Sequence, residues 1–172
     1  GRAFSGVSRW RTDNISNARA QGVELATTLR GRASGFDLRG RVGYTFLDSE
    51  ILAVDGADAA PSPFKVGDPL LNRPRHQWAL DASVARSTIT AWIRGGGRGR
   101  VLAVEPSYGS FGGLFDAAGY GVWSTGASWQ LSRQLEVFGR IENLFDREYE
   151  EVFGFPALGR GAMVGMRVAA RR

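Results

Sequence analysis

The sequence predicts an all-β protein, an antiparallel up-and-down meander of about seven strands. Two observations predict this class. Apolar and polar residues alternate along seven segments, and the connections between these segments are short and long in turn. The composition agrees, because 24 glycines and 11% aromatic residues among 172 residues suit closely spaced strands better than helices.

Each of the seven segments has one apolar face without a charged residue. The segments are 20–30, 36–47, 76–86, 87–97, 120–131, 133–143 and 158–169. Their apolar faces hold, in this order, Val23, Leu25, Thr27, Leu29; Phe36, Leu38, Gly40, Val42, Tyr44, Phe46; Trp78, Leu80, Ala82, Val84; Ile89, Ala91, Ile93; Trp123, Thr125, Ala127, Trp129, Leu131; Leu135, Val137, Gly139, Ile141; and Ala162, Val164, Met166, Val168. Because successive side chains of a strand point to opposite sides, the alternation predicts two faces in two different solvents.

The opposite faces of the same segments carry the charges. They hold six arginines and five acids, namely Arg30, Arg39, Arg41, Arg94, Arg140 and Arg167 with Glu24, Asp37, Asp81, Glu136 and Glu142. This near balance predicts a polar, hydrated face without a clear preference for anionic or cationic ligands.

The connections differ in length in a regular way. Those near 31–35, 86–87 and 132 are short, whereas those at 48–75, 98–119 and 144–157 are long. An outer-membrane barrel has this asymmetry, with tight periplasmic turns and long extracellular loops, and a Greek-key sandwich has no reason for it. The connections therefore favour a meander that crosses a membrane.

The aromatic residues of the apolar faces are sorted towards the strand ends. Tyr44, Phe46, Trp78 and Trp123 lie at the long-loop ends, and Phe36 and Trp129 lie near the short turns. Aliphatic residues and glycines occupy the positions between them. Amphipathic rings favour the two headgroup levels of a membrane, so this order also favours a transmembrane barrel.

Several kinds of chemistry are disfavoured by the residues present. The net charge of +5 comes from arginines that are interleaved with acids, so nucleic-acid binding is not expected. The chain has no cysteine, and no apolar run reaches the roughly 18 to 20 residues of a membrane helix. We expect the single histidine, His76, to be structural.

Two further patterns fail the tests for a binding site. The run Gly95–Gly99 lacks the helix and the Lys-Ser/Thr pair of a phosphate loop, so we expect a flexible exit from a strand. Asp55, Asp58 and Asp68 do not have the spacing of a calcium loop. The sequence therefore predicts no catalytic residue, no cofactor and no metal site.

The last long connection carries two linked motifs. Residues 142–151 read Glu-Asn-Leu-Phe-Asp-Arg-Glu-Tyr-Glu-Glu, and Phe153-Gly154-Phe155-Pro156 with Gly159-Arg160 follows. This region closely resembles the last loop region of TonB-dependent receptors. The residues that match the family motif, and for which we expect a structural role, are Asn143, Leu144, Phe145, Asp146, Tyr149, Gly154, Pro156, Gly159 and Arg160.

Weaker similarities extend the match towards the start of the chain. Residues 14–24 resemble a strand start of the family, 44–49 resemble a strand end, and 73–76 resemble the element that enters the next strand. The resemblance therefore runs in order from about residue 14 to the end.

The resemblance implies a fold, a function and a set of partners. TonB-dependent receptors are outer-membrane barrels of about 22 strands in Gram-negative bacteria. A plug closes the barrel, and TonB supplies energy to import scarce nutrients such as an iron-siderophore or cobalamin. Residues 1–172 would be the C-terminal segment of such a barrel, without the plug and the earlier strands. The chain would not be an enzyme.

Its partners would follow from that place in the receptor. They are outer-membrane lipid, the receptor's own plug and earlier strands, TonB through the N-terminal part, and a small-molecule or metal-chelate cargo. Cargo contacts would come from the long loops and from inward polar residues, with Arg39, Arg41, Arg94 and Arg140 as candidates.

Two alternatives stay open at this point. A complete barrel of about eight strands could act as an adhesin or an enzyme, and a soluble β-sandwich could be a binding module with the apolar face as its core. The chain also ends Val168-Ala169-Ala170-Arg171-Arg172, whereas barrels of the family usually end in an aromatic residue. The start at Gly1 has no initiator methionine, which favours a chain that begins inside a longer one.

Overall fold

The protein is described by a computed structural model over residues 2–5, 9–12, 14–55, 64–104, 113–152 and 154–169. These residues form thirteen strands and no helix: β1 (Arg2–Ser5), β2 (Arg9–Thr12), β3 (Asn14–Ala33), β4 (Phe36–Asp55), β5 (His76–Arg86), β6 (Ile89–Arg98), β7 (Val101–Val104), β8 (Leu114–Ala117), β9 (Tyr120–Gln130), β10 (Leu135–Glu142), β11 (Glu150–Val152), β12 (Phe155–Pro156) and β13 (Gly161–Val168). Within this part of the chain, no helix is long and apolar enough to cross a membrane.

Seven of the strands form one antiparallel sheet in the order β13-β10-β9-β6-β5-β4-β3. Each of these seven strands neighbours the next one of the set along the chain, so the predicted seven-stranded meander is confirmed. The order is linear, with β3 and β13 at its two edges. The seven strands therefore do not close on themselves, which contradicts the alternative of a complete small barrel for the part of the chain that the structure describes.

The strands β3 and β4 are longer than the sequence predicted. Each has 20 residues, whereas alternation indicated 20–30 and 36–47. An ion pair of 2.8 Å joins Arg19 to Glu50 across the two extensions. Backbone pairing of a hairpin continues wherever the two strands stay in register, and it does not require an apolar face. Alternation therefore marked only the part of the hairpin that is apolar on one side.

The short connections are tight turns with left-handed backbone. Ser34 and Gly35 have φ values of 49° and 79°, as the two-residue turns that suit twisted hairpins require. Ser87, with a φ of 51°, begins the next such connection, between β5 and β6. These turns fix the register of the hairpins and therefore decide which side chains meet across the strands.

Two small hairpins occupy regions that the sequence predicted as loops. β7 pairs with β8 inside 98–119, and β11 pairs with β12 inside 144–157. Alternation did not indicate them, because strands of two to four residues are too short to show a period. Parts of the predicted long connections, 56–63 and 105–112, lie outside the described residues, as do Phe153 and 170–172.

Contacts divide the chain into two compact units. The first comprises 1–23, 45–76 and 98–119. Its described part contains a small apolar core of Ile51, Phe64, Val101 and Ala103. The segment after Phe64 is hydrogen-bonded to β4, because the Ile51 amide donates to the Asp68 carbonyl at 2.8 Å and the Gly67 amide donates to the Ile51 carbonyl at 2.9 Å.

The second unit comprises 24–44, 77–97 and 120–172. None of its described apolar side chains is buried, and the apolar face is bare: Leu29 is 64% exposed, Met166 72% and Val164 88%. A soluble sandwich would bury this face as its core. The exposed face therefore contradicts the sandwich alternative for the part of the chain that the structure describes.

Candidate functional site

The charged face of the second unit contains a groove lined by four arginines. Arg30 belongs to β3, Arg39 and Arg41 to β4, and Arg94 to β6. Five other side chains complete the lining, Thr28, Asp81, Ser83, Thr90 and Trp92. We call this site, with a volume of about 460 Å³, the arginine groove.

The register of the hairpins explains why these side chains meet. A two-residue turn at 34–35 makes Ala33 and Phe36 neighbours across the hairpin, and counting back places Arg30 opposite Arg39. Like charges directly opposite one another destabilise a sheet. A contribution to the stability of the sheet therefore does not explain why these two arginines face each other.

The charges of the arginine groove are unbalanced. Asp81 is its single acid and pairs with Arg94, whose Nε donates to an Asp81 carboxylate oxygen at 2.6 Å. Within the described residues, Arg30, Arg39 and Arg41 form no ion pair, and all three are exposed. Arg39 is attracted to Asp37, but that carboxylate lies outside the groove and is paired with Arg32 at 2.7 Å. The near balance of charges counted along the charged face thus hides a local excess of three positive charges.

Trp92 forms an aromatic wall of the arginine groove. The Arg94 guanidinium carbon lies 4.7 Å from the centroid of the indole. The ring lies against Gly126 of β9, where a Cβ atom would come within 2.6 Å of it. The Thr125 hydroxyl donates to the Trp92 carbonyl at 2.7 Å. The ring therefore packs between the Arg94 guanidinium of its own strand and Gly126 of β9, a position that accepts only glycine.

The structure brings together three of the four arginines predicted as candidates. Arg39, Arg41 and Arg94 line the groove, whereas Arg140 lies on β10 and pairs with Glu142 at 3.3 Å. Sequence reasoning placed Arg30 on the charged face and did not single it out. The hairpin register was the signal that could have identified it, because the turn places it opposite Arg39.

The glycine run was predicted to be an exit from a strand at the end of segment 87–97, and β6 does end within it, at Arg98. Gly95–Gly97 lie inside β6. A Cβ atom at Gly95 would lie 2.6 Å from the ring of Trp123, and one at Gly97 would lie 2.8 Å from the Trp78 indole nitrogen. The two indoles are 5.3 Å apart between centroids. The glycines therefore give space to a pair of tryptophans.

The last connection is held by the side chain of Asn143, which is only 4% exposed and has a φ of 49°. We call residues 143–160 the Asn143 loop. The Asn143 side-chain amide donates to the carbonyls of Arg147 at 2.9 Å and Leu158 at 3.2 Å, and its oxygen accepts from the Arg147 amide at 2.8 Å. One buried side chain thus joins the beginning of the loop to its end.

Asp146 makes a second connection within the Asn143 loop. It also has positive φ, 53°, and its carboxylate accepts from the Arg160 amide at 2.7 Å. Gly159 lies beside the same carboxylate, since a Cβ atom there would come within 3.1 Å of an Asp146 oxygen. Asparagine, aspartate and glycine are the residue types that such turns tolerate best.

The chain is similar to known proteins in both sequence and structure. The family described as TonB dependent receptor-like, beta-barrel matches residues 1–144. This match covers most of the chain and ends where the Asn143 loop begins. The chain belongs to the TonB-dependent receptor β-barrel family.

Solved TonB-dependent receptors have a similar fold. The ferric-catecholate import receptor Fiu of K12 E. coli has a TM-score of 0.61 at 16% identity over 97% of this chain and 23% of its own. FpvA of P. aeruginosa, bound to heterologous pyoverdines, has a TM-score of 0.60 at 18% identity over 88% of this chain. The FrpB iron transporter of Neisseria meningitidis has a TM-score of 0.61 at 18% identity over 88% of this chain. The chain spans 19% to 24% of the length of these three structures.

Other residues of the receptor motif lie elsewhere in the Asn143 loop. The Leu144 amide donates to the Trp123 carbonyl at 2.7 Å, and Phe145 is 70% exposed. Gly154 has a φ of 79°, and its amide donates to a Glu150 carboxylate oxygen at 2.9 Å. Pro156 ends the short strand β12. These residues make backbone and surface contacts, and their structural role stays a prediction.

Tyr149 of the receptor motif lies against a second tyrosine. Its ring centroid is 4.5 Å from that of Tyr120, whose hydroxyl is 3.4 Å from a Glu151 carboxylate oxygen. Burial, followed by the charge of Glu151 and by Tyr120, raises the pKa of Tyr149 above its ordinary value. The phenol of Tyr149 is therefore neutral at physiological pH.

The first unit contains a polar depression of about 340 Å³ in which most charges are paired. Arg75 pairs with Asp48 at 2.5 Å, and Arg100 lies 3.8 Å from Asp116. His76 lies 5.5 Å from Phe46 between ring centroids. Among the described residues, no group of three or more His, Cys, Asp or Glu side chains could hold a metal ion.

Of the three aspartates considered for a calcium loop, only Asp68 has a described side chain. The Asp68 carboxylate accepts from the Lys65 backbone amide at 2.8 Å, as in a local turn. Asp58 lies outside the described residues, and the side chain of Asp55 is not described. The arginine groove is therefore the described site with the largest unpaired charge.

Proposed function

We propose that this chain forms part of the wall of an outer-membrane receptor that takes up a scarce nutrient with energy from TonB. We propose a transport function and not a catalytic one. Membership of the TonB-dependent receptor family supports this function. The location would be the outer membrane of a Gram-negative bacterium.

One observation carries the proposal, the contrast between the two faces of the second unit. One face exposes side chains such as Leu29, Val164 and Met166, and the other carries the arginine groove. A sheet with lipid on one side and water on the other needs this division. Arginine at membrane depth is tolerated where it faces a water-filled space, and there it marks a pathway for substrates or ions.

The rest of the receptor would cover the two sheet edges. β3 and β13 have no strand beyond them in the described sheet, and open strand edges cannot face lipid. We propose that earlier strands of the same receptor pair with these edges, and that a plug and a TonB-contacting segment belong to its N-terminal part. Residues 1–172 would then be the C-terminal segment of the barrel.

The proposed cargo is a small molecule or metal chelate, such as an iron-siderophore or cobalamin. The similar structures are named for ferric catecholate, pyoverdine and iron, which supports a scarce-metal cargo in general terms. Arg39, Arg41, Arg94 and Arg140 are proposed cargo contacts together with the long loops. The nine residues of the receptor motif are proposed to shape the wall without binding cargo.

The test is uptake by cells that express the whole receptor. A Gram-negative strain without its own receptors would be given a panel of labelled ferric siderophores and cobalamin, with and without a functional TonB. We expect uptake of at least one compound, lost in the strain without TonB and lost without the receptor. Uptake that is independent of TonB, or a receptor that does not fractionate with the outer membrane, would contradict the proposal.

A further inference from the structure

We propose that the arginine groove binds a small polyanion that carries at least two carboxylate or phosphate groups. This inference rests on the proposed function, since such a polyanion would be the cargo or part of it. It adds Arg30, Thr28, Ser83 and Thr90 to the proposed contacts and it names the chemical class of the ligand.

The depth of the arginine groove along the strands argues for a role in transport. Its arginines lie four to six residues from the turns at 34–35 and 87–88. At 3.3 Å per residue this corresponds to about 13 to 20 Å along the strand. The apolar band of a membrane barrel is about 25 Å tall. The groove therefore lies within the membrane-crossing part of the strands and not in the loops.

The arrangement of the arginines suits an anion with more than one charge. Arg30 and Arg39 are opposite one another across a hairpin, and Arg41 follows two residues later on the same face. Facing positions are about 4.5 to 5.5 Å apart, and positions two residues apart are about 7 Å apart. A guanidinium binds a carboxylate or phosphate through two parallel hydrogen bonds. Three such groups at these spacings favour a ligand with two or more anionic groups.

The neutral lining of the groove supports the same ligand class. The hydroxyls of Thr28, Ser83 and Thr90 can donate to anionic oxygens, and they add no charge that would attract cations. Asp81 is already paired with Arg94, so it does not oppose an incoming anion. The volume of about 460 Å³ is within the range of small-molecule sites.

Binding to the purified full receptor tests the inference. Citrate and pyrophosphate serve as probes, acetate serves as the singly charged comparison, and calorimetry at several salt concentrations gives the Kd. We expect citrate or pyrophosphate to bind far more tightly than acetate, with affinity falling as salt rises. In Arg39→Gln, Arg41→Gln and the double variant, we expect Kd to rise by about tenfold for each arginine removed.

The matched control is Arg167→Gln on β13. Arg167 is also on the charged face, but it pairs with Glu136 at 2.9 Å and does not line the groove. We expect the Kd of this variant to equal that of the unchanged receptor. Equal losses in the control and in the groove variants would overturn the inference, as would the absence of any binding of the two probes.

A second measurement separates a small anion from an acidic protein segment in the groove. Iodide quenches tryptophan fluorescence, and the contribution of Trp92 is obtained by comparison with Trp92→Phe. We expect stronger quenching by iodide than by caesium ion, reversed by citrate. A Trp92 that iodide does not reach would mean that the receptor fills its own groove, and the inference would be wrong.

Uptake by the groove variants distinguishes this inference from the proposed function. If the double variant takes up cargo at the normal rate in a TonB-dependent way and binds the probes normally, the inference fails and the function stands. If the unchanged receptor shows no TonB-dependent uptake but its groove binds the probes, the function fails and the site stands.

Discussion

The arginine groove and the Asn143 loop treat their polar groups in opposite ways. In the groove, Arg30, Arg39 and Arg41 are exposed and form no ion pair within the described chain. In the loop, Asn143 is buried and its side chain makes three hydrogen bonds to backbone groups. Satisfied polar groups stabilise a fold, whereas unpaired charges are available to a ligand. The difference separates a proposed binding site from an architectural one.

The two regions also differ in how many residue types their backbone conformation tolerates. The groove is built on strands. At most positions of a strand, many residue types can be accommodated. The Asn143 loop contains positive φ values at Asn143, Asp146 and Gly154, where few residue types are tolerated. Substitutions should therefore change stability in the loop and ligand binding in the groove.

The largest expected effect is that of Asn143→Ala in the full receptor. The change removes three hydrogen bonds and leaves a residue with positive φ that alanine adopts poorly. We expect a loss of about 2 to 4 kcal/mol in the free energy of unfolding. Urea unfolding in detergent, followed by tryptophan fluorescence, measures this loss.

Asn143→Gly is the control for the backbone. It tolerates the φ of 49° and removes only the side-chain hydrogen bonds. We expect it to recover part of the stability that Asn143→Ala loses. If both variants unfold at the same urea concentration as the unchanged receptor, the Asn143 side chain does not hold the loop.

The second prediction concerns Gly126, which lies beneath the Trp92 wall. In Gly126→Ala, the new Cβ atom would lie 2.6 Å from the indole and 2.7 Å from the Gly139 carbonyl oxygen. The backbone oxygen cannot move away easily, so we expect a loss of about 1 to 3 kcal/mol. Gly31→Ala is the control, because nothing lies within 4 Å of a Cβ atom there. Equal stabilities of the two variants would contradict the close contact.

The contrast between the two regions also shows what the sequence could predict. Alternation located the seven strands of the sheet. Because side chains of a strand point alternately to its two faces, it also placed Arg39, Arg41 and Arg94 on one face. Alternation alone did not reveal that these three arginines line one groove, whereas Arg140 pairs with Glu142. Convergence depends on hairpin register and on which strands are neighbours, and these are properties of pairs of segments.

Close approaches of ring and backbone were less predictable still. Gly126 and Gly95 look like residues that weaken strands, yet each accommodates an indole from a neighbouring strand. The short hairpins inside the long connections were missed because their strands have too few residues to show a period. The Asn143 loop was recognised by its residue types, since asparagine, aspartate and glycine at such spacings indicate turns.

A smaller effect is expected from Asp146→Ala. The change removes the hydrogen bond from the Arg160 amide at 2.7 Å and puts alanine at a φ of 53°. The side chain is exposed, so water replaces part of the bond. We expect a loss of about 1 kcal/mol, measured by the same urea unfolding. Asp146→Asn keeps an oxygen acceptor and tolerates positive φ, so it should lose less. A larger loss in Asp146→Asn than in Asp146→Ala would argue against this hydrogen bond.

Alkaline pH should weaken the Asn143 loop through Tyr149. Because the folded pKa of Tyr149 is raised, chiefly by burial, the folded state disfavours the phenolate. Stability should be unchanged below the ordinary tyrosine pKa of about 10 and should fall as the pH rises above it. Unfolding of the receptor and of Tyr149→Phe at pH 9 and above measures the difference. An equal fall in both would show that Tyr149 is not responsible.

The smallest expected change in stability is that of Arg39→Gln, and its sign should be opposite to those in the Asn143 loop. The substitution removes one of two like charges that face each other across the β3–β4 hairpin. Relief of this repulsion should stabilise the receptor by a few tenths of a kcal/mol, up to about 1 kcal/mol at low salt, and added salt should reduce the gain. Urea unfolding at two salt concentrations measures it. A clear destabilisation would mean that Arg39 holds the fold together, and the contrast between groove and loop would then fail at this pair of facing arginines.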